Sequence, residues 1–428
     1  MNQNNPADRP GNRNKAFGDG GKVTLGILSD VIQRTRLIKG ALVLPDKHIL
    51  LSVTLETRRG FGQYGLVRLT PDGSLDPRFI NGGMFTSHFK GEDASSGGML
   101  LRLADGRLLM LGSNITYPGG VEPLNHLAMA CYRHDYTLDK TFGGNGTGHL
   151  VIENQPEEVC MTDVSAVAQQ ADGRLLISTT YHKFGNITDT TGVLFRLNVD
   201  GTFDESFGKS GRLDFKLPGS IASTALTACL PQADGKIVVA GHAFLQPEYE
   251  TALIARFDDK GVLDSEFGNP TSPGYVSMPI AKRPTRFNAL LSTKRGFVGV
   301  GEAGGWKDPS TAGMLVGITK NGLLDSGFNG GKALLTKYHP ERNNAWLNGY
   351  VQSDGKLVIS AGRHYLYISR FEADGQFDKG FGIDGGISED TQCSGPVTLL
   401  DHPENKFLLA CNSTGIDGGR GTLFDYLG

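Results

Sequence analysis

The chain has 428 residues, more than most single globular domains, and its formal net charge of −3 gives no electrostatic pull toward nucleic acid or an anionic membrane. Glycine supplies 60 residues, about twice the usual ~7%, whereas proline is ordinary at 19, which excludes a proline-rich linker and points to many tight turns. The five cysteines (131, 160, 229, 393 and 411) are odd in number and show no CxxC or Cys/His metal spacing.

Residues 1–13 form a polar lead with no apolar signal-peptide core, so the expected location is cytoplasmic, or exported without a Sec signal. No apolar run reaches the ~18 residues a membrane helix needs, so no membrane insertion is expected. The rest of the chain is organised by repetition. A phrase of the form L-x-x-D-G-x-x-D-x-x-F-G-x-x-G stands as RLNVDGTFDESFGKSG around Phe207, and close copies surround Phe79, Phe142, Phe267, Phe328 and Phe381. A truncated copy, NKAFGDGG, carries Phe17. The seven phenylalanines fall at intervals of 62, 63, 65, 60, 61 and 53 residues, leaving no room for a second domain.

Between these copies sits a second phrase, A-D-G-R/K followed by four or five apolar residues, as in ADGRLLMLG, ADGRLLIST, ADGKIVVAG and SDGKLVISA. Asp-Gly between short apolar runs is a hairpin signal, because both central residues reach positive φ. Each repeat therefore resolves into four strands: an inner strand a, a short turn, strand b, a variable loop, strand c, the F-G turn, and a short strand d. No repeat holds ten residues of helical periodicity. The predicted fold is all-β: a seven-bladed β-propeller over residues 14–428 with four antiparallel strands per blade. The last repeat stops after strand c, and its missing F-G phrase lies at residues 14–25, so the N-terminal strand is expected to complete the last blade and close the ring. These phrases resemble the delta-60 repeat, a bacterial tandem repeat of this period assigned to β-propellers. The resemblance implies the fold and little about activity, since propellers carry unrelated functions.

The Asp pairs of the F-G phrase, such as Asp200/Asp204, have the look of cation ligands. Lys260 and Asn321 at the first position argue instead for a turn-starting residue followed by a residue that caps backbone N–H groups. No metal and no cofactor are therefore predicted. All loop variation falls on the b–c and d–a connections, opposite the two uniform turns, and function usually sits on such loops. That face carries Arg58, Tyr117, His182, Tyr249, Trp306, Tyr338 and His364 as candidate ligand-binding residues, with Arg286 and Trp346 beside them. The position ending strand b reads Thr54, Ser113, Thr180, His242, Glu302, Gly362 and Asn412. His242 and Glu302, in adjacent repeats, are the candidate catalytic pair; a loop anchor is the alternative for that position. The expected function is non-enzymatic recognition of a protein or carbohydrate. A hydrolase or lyase at the channel mouth and an exported effector or toxin component are the alternatives. No HExxH, G-x-S-x-G or P-loop motif is present.

Overall fold

The computed structural model describes residues 9–27, 36–56, 62–118, 123–218, 223–246, 249–305, 308–361, 365–414 and 419–428. The chain divides into two compact units. One comprises residues 1–88, 95–100 and 346–428; the other comprises 89–94 and 101–345. Both are built from antiparallel strands of the predicted kind.

In the second unit, Thr224–Pro231, Ile237–Gln246, Tyr249–Phe257 and Tyr275–Met278 form one sheet in chain order, and Thr285–Ser292, Gly296–Ala303, Ala312–Thr319 and Leu334–Thr336 form another. A third joins Leu175–Lys183, Asn186–Leu197 and Arg212–Phe215, with Glu158–Cys160 and Ala166–Gln169 sharing the inner place beside Leu175–Lys183. Leu108–Thr116, Leu124–Tyr132 and His149–Ile152 pair in the same manner. The first unit holds Arg36–Val43, Ile49–Glu56, Gly62–Leu69 and Met84–Ser87 as one sheet. Its second sheet has seven strands, because the 17-residue strand Gly386–His402 pairs first with Tyr365–Phe371 and then with Lys406–Ser413. At the far edge of that sheet Lys22–Thr24 pairs with Arg420–Leu427.

Inner strands carry a register shift at one recurring place, between Leu226 and Ala228, between Phe287 and Ala289, and between Ile38 and Gly40. The neighbouring strand b must then come very close. A Cβ on Gly241 would lie 1.9 Å from the Ala225 carbonyl oxygen, and one on Gly301 would lie 1.9 Å from that of Arg286. Only glycine fits, which explains the small residues within otherwise bulky runs.

The repeated phrase is a clasp. In the third repeat, Asp204 Oδ1 accepts from the Ser206 N–H (3.0 Å) and Oγ (2.7 Å), while Oδ2 accepts from Arg196 Nε and Arg174 Nη1, both at 2.7 Å. Arg196 is 1% exposed and lies over the Phe207 ring at 4.6 Å. The same carboxylate–guanidinium–phenylalanine stack recurs as Asp76/Arg68/Phe79, Asp264/Arg256/Phe267 and Asp378/Arg370/Phe381. Lys236 and Lys356 take the place of Arg174 in the fourth and sixth repeats. The expected turn-and-cap role of the two Asp positions is thus what these loops display. The first position is used through its main chain as well: Gly208 N donates to Lys260 O (3.0 Å), Gly268 N to Asn321 O (2.9 Å) and Gly143 N to Asp200 O (2.8 Å). A main-chain carbonyl serves equally from Asp, Lys or Asn.

The N-terminal copy extends further than NKAFGDGG. Gly382 N donates to Pro10 O (3.0 Å), Gly11 N to Leu427 O (2.8 Å), and Gly18 N to Asp72 O (2.7 Å), so Pro10-Gly11 occupies the place of Asp-Gly. Its polarity is altered: Asp425 stands where other repeats have arginine, and Asn14 Nδ2 donates to Asp425 Oδ2 at 2.7 Å. Phe17, Phe79, Phe142, Phe207, Phe267, Phe328 and Phe381 are all at most 3% exposed, as their packing role requires.

Candidate functional site

The two uniform turns occupy one end of each sheet; the variable loops occupy the other. At the variable end, the last polar position of strand b mostly stitches one repeat to the next. Thr180 Oγ1 donates to Leu226 O and accepts from Leu226 N, both at 2.9 Å, at the register shift of the following inner strand. Asn412 does the same to Ile38, with 2.7 and 2.9 Å bonds, and Thr54 Oγ1 accepts from Gly97 N at 3.2 Å. These residues are anchors.

His242 breaks the pattern. It stands between Ala225 and Ala252 in register, and its buried Nδ1 has no hydrogen-bond partner among the described residues. Burial lowers its pKa to about 4; Glu250 opposes the shift and Arg286 adds to it. Glu250 is ion-paired to Arg286, which stands directly opposite Glu302 across the next sheet. Glu302 is 1% exposed. The sequence pairs His242 with Glu302; the charges acting on the imidazole are instead Glu250 and Arg286. At neutral pH this imidazole is unprotonated and weakly basic, far from the pKa a general acid or base needs.

A better-formed site lies between the second and third repeats. His126 is nearly buried, opposite Asn114. The Asn154 N–H donates to its Nδ1 (3.2 Å), which places the ring proton on Nε2, 3.0 Å from Thr116 Oγ1. Burial is the main cause that holds its pKa below the ordinary value, offset by Glu153 and reinforced by Lys90. Glu153 Oε2 lies 3.3 Å from Nδ1, and Oε1 accepts from Lys90 Nζ at 2.6 Å. Asn114 is fully buried; its Nδ2 donates to Asp93 (3.0 Å), and its Oδ1, like that of Asn154, has no partner among the described residues. Tyr117, next to Thr116, is 44% exposed.

Glu153 also heads a cavity of about 630 Å³ that includes Gln155, Phe195, Phe203, Lys209, Arg212 and Asp214 in its lining. That volume is in the range of small-ligand sites. Arg212 is fixed within it. Its Nη2 bonds both Glu158 oxygens at 2.9 and 3.0 Å, its Nε bonds Asp214 at 2.6 Å, and its guanidinium lies 5.1 Å from the Tyr181 ring centre and 5.7 Å from that of Phe195. An aromatic wall among fixed charges can take hydroxyl groups from a polar ligand.

A family described as "Domain of unknown function (DUF5122) beta-propeller" matches residues 44–79, 170–207, 232–267 and 352–381. The match marks four of the repeats as β-propeller repeats, and the four-stranded antiparallel sheets agree with it. No curated protein matches the chain. Among solved structures the chain is similar to an α-L-arabinanase of Penicillium chrysogenum in complex with arabinobiose, at 12% identity and a TM-score of 0.48 over 95% of this chain and 97% of that one. It is also similar to the Dos1 propeller (10%, 0.47, 96% and 85%) and to a Trypanosoma rangeli sialidase in complex with sialic acid (8%, 0.39, 96% and 59%).

The other predicted residues are dispersed. Tyr249 is half-buried at the tip of its hairpin, and His182 lies in strand Leu175–Lys183 with Nδ1 3.0 Å from the Lys183 carbonyl. Tyr338 is tied down: its N–H donates to Asn344 Oδ1 (2.9 Å) and its hydroxyl to Asn343 O (3.4 Å). Arg58, Trp306 and His364 lie outside the described residues. Trp346 is not a surface residue. It is fully buried, with Tyr367 and Phe371 rings at 6.0 and 6.1 Å. His126, Glu153 and Asn114 went unmarked in the sequence because each belongs to a different loop or strand of one repeat and none forms a motif. Among the described residues no group of three or more His, Cys, Asp or Glu is placed to hold a metal, and no helix is long and apolar enough to cross a membrane.

Proposed function

We propose that the protein is a non-enzymatic binding propeller that takes a carbohydrate in the groove headed by Glu153. The observation that carries this reading is the cavity itself. It joins the half-buried ring of Phe203 to charged groups at Glu153, Lys209, Arg212 and Asp214, with the amide of Gln155 among them. Sugar hydroxyls both donate and accept, so they can pair with carboxylates, cations and an amide alike, while the pyranose face packs on the Phe203 ring. The loops that supply Glu153 and Gln155 are among the variable ones. Arabinobiose and sialic acid are named with two of the similar structures, at identities that speak only of fold.

Glycan-array screening followed by calorimetry tests the proposal. Wild-type protein binds an oligosaccharide, and Glu153→Gln and Asp214→Asn, both at exposed side chains, each weaken binding about tenfold, the loss of roughly one charge-assisted hydrogen bond. No saccharide binding, or unchanged affinity in the double variant, refutes it. Protein recognition is the second reading, favoured by the exposed Phe184 and Ile187 at one hairpin tip (56% and 67%). As to architecture, we propose seven delta-60-type blades in a ring closed through the N-terminal strand, supported by the Lys22–Thr24 pairing and the Asn412–Ile38 bonds.

A further inference from the structure

Cys393 and Cys411 lie on adjacent strands, Gly386–His402 and Lys406–Ser413. Cys393 is opposite Ser413, which places Cys411 diagonally across on the same face of the pair. Both side chains turn into the cluster formed by Leu366, Phe381, Phe407, Phe424 and Tyr426, and both are at most 3% exposed. Their sulfurs are 3.2 Å apart, one thiol donating to the other. The remaining cysteines have other neighbours: Cys160 Sγ contacts Thr179 Oγ1 at 3.4 Å and Cys229 Sγ contacts Leu176 O at 3.8 Å. Cys131 sits among apolar side chains of a different cluster.

We infer that Cys393 and Cys411 are an oxidation site, at which a hydroperoxide converts the thiol pair into a single intramolecular disulfide. One sulfur attacks the peroxide, the O–O bond breaks, and a sulfenic acid and water form. The second sulfur then displaces the sulfenic oxygen, the S–S bond forms, and a second water leaves with the remaining thiol proton. Two thiols and one hydrogen peroxide give one disulfide and two waters, with the peroxide oxygens reduced. A sulfur–sulfur bond of ~2.05 Å requires the two atoms to close by roughly 1.2 Å, within reach of side-chain rotation on adjacent strands. Gln392 still pairs with Tyr365, and Cys393 is the first residue to pair with Lys406–Ser413, so the long strand changes partner at this point, just before the register shift between Ser394 and Thr398. The disulfide would therefore fasten that strand to the strand that follows it where it changes partner. Burial slows the first step, since a desolvated thiol ionises poorly, so the reaction is one of sustained exposure.

The test uses the full chain, folded and fully reduced, then held in hydrogen peroxide, quenched, denatured and alkylated. The thiol count is expected to fall from the five present in the sequence to three, with one dithiothreitol-reversible cross-link between the peptides holding Cys393 and Cys411. Cys393→Ser, and separately Cys411→Ala, are expected to keep all their remaining thiols and to yield no cross-link. Five surviving thiols in the wild type, sulfinic acid at either position without a cross-link, or a link that includes Cys131, Cys160 or Cys229 would overturn the inference.

Discussion

Replacing Asp204 by asparagine probes the clasp at its buried carboxylate. The carboxylate faces two guanidinium groups at 2.7 Å, of which Arg196 is 1% exposed. Asparagine keeps the shape and an amide oxygen but removes the charge, leaving Arg196 desolvated without its partner. Breaking a buried pair from one side costs about 3–5 kcal/mol. At about 2–4 °C per kcal/mol for a unit of this size, the melting temperature falls by about 10 °C. Asp200, four residues earlier in the same phrase, is the comparison. It accepts from the Thr202 N–H (3.0 Å) and Oγ (2.7 Å) at the surface, and asparagine can accept both, so Asp200→Asn costs about 1 kcal/mol or less. Differential scanning calorimetry or urea titration of both variants measures the contrast. The double variant Asp204→Asn/Arg196→Met should be less destabilised than the sum of the singles, because the stranded charge is gone. A shift for Asp204→Asn no larger than that for Asp200→Asn would refute the assignment of the second Asp as the energetic centre of the phrase.

Acid should act through the same carboxylates. Burial alone raises Asp204, but its Ser206 donors and the guanidiniums of Arg174 and Arg196 outweigh that and hold it well below the usual range; Asp76, Asp139, Asp264 and Asp378 are lowered likewise. Their contribution is complete above the unfolded carboxyl pKa of ~3.9 and is lost as pH falls through the depressed folded values, so a melting-temperature profile should drop steeply below about pH 4. His242 acts in a higher window. Its lowered pKa means that the unfolded chain takes up a proton below about 6.5 that the folded chain refuses until about 4, and stability falls with pH across that interval. His242→Gln should flatten that part of the profile, and an unchanged slope would remove His242 from the account. Gly241→Ala should abolish soluble expression or lower the melting temperature strongly, whereas Gly305→Ala, whose nearest neighbour would be 3.9 Å away, should not. Deleting residues 1–25 should leave Arg420–Leu427 as a bare edge and give an aggregating protein. A soluble monomer with unchanged melting would contradict that.

The repeats were legible in the chain because their signals are local: Asp-Gly turns, short apolar runs and a recurring phenylalanine. The partners of the second Asp were not. Arg196 opens the same phrase and Arg174 stands in the other one, eight and thirty residues from Asp204, but no spacing rule brings either guanidinium onto that carboxylate. Trp346 shows the limit of assigning exposure by loop position, since its ring packs on Tyr367 and Phe371, which lie more than twenty residues further along the chain. His242 was visible as a polar residue at the end of strand b, but its neighbours depend on the register of its own hairpin, and so Glu250, the second residue of the next strand, supplies the charge that Glu302 was expected to give. The Glu153 groove was invisible for a related reason: it is formed by outer strands of consecutive repeats, each ordinary alone.

The pairing of the first described strand with the last also sets an order of events. Asn14 and Asp425 are 411 residues apart in sequence yet share a hydrogen bond. At a synthesis rate of ~5–20 residues per second, the early segment waits roughly 20–80 s for its partner to be made. The repeats around Phe142, Phe207 and Phe267 can settle as they emerge, since Gly143, Gly208 and Gly268 each bond the turn of the repeat that follows. The first-made phrase cannot, and it must stay soluble in the meantime. Its asparagines, arginines and glycines, with a single buried phenylalanine, are a composition suited to waiting.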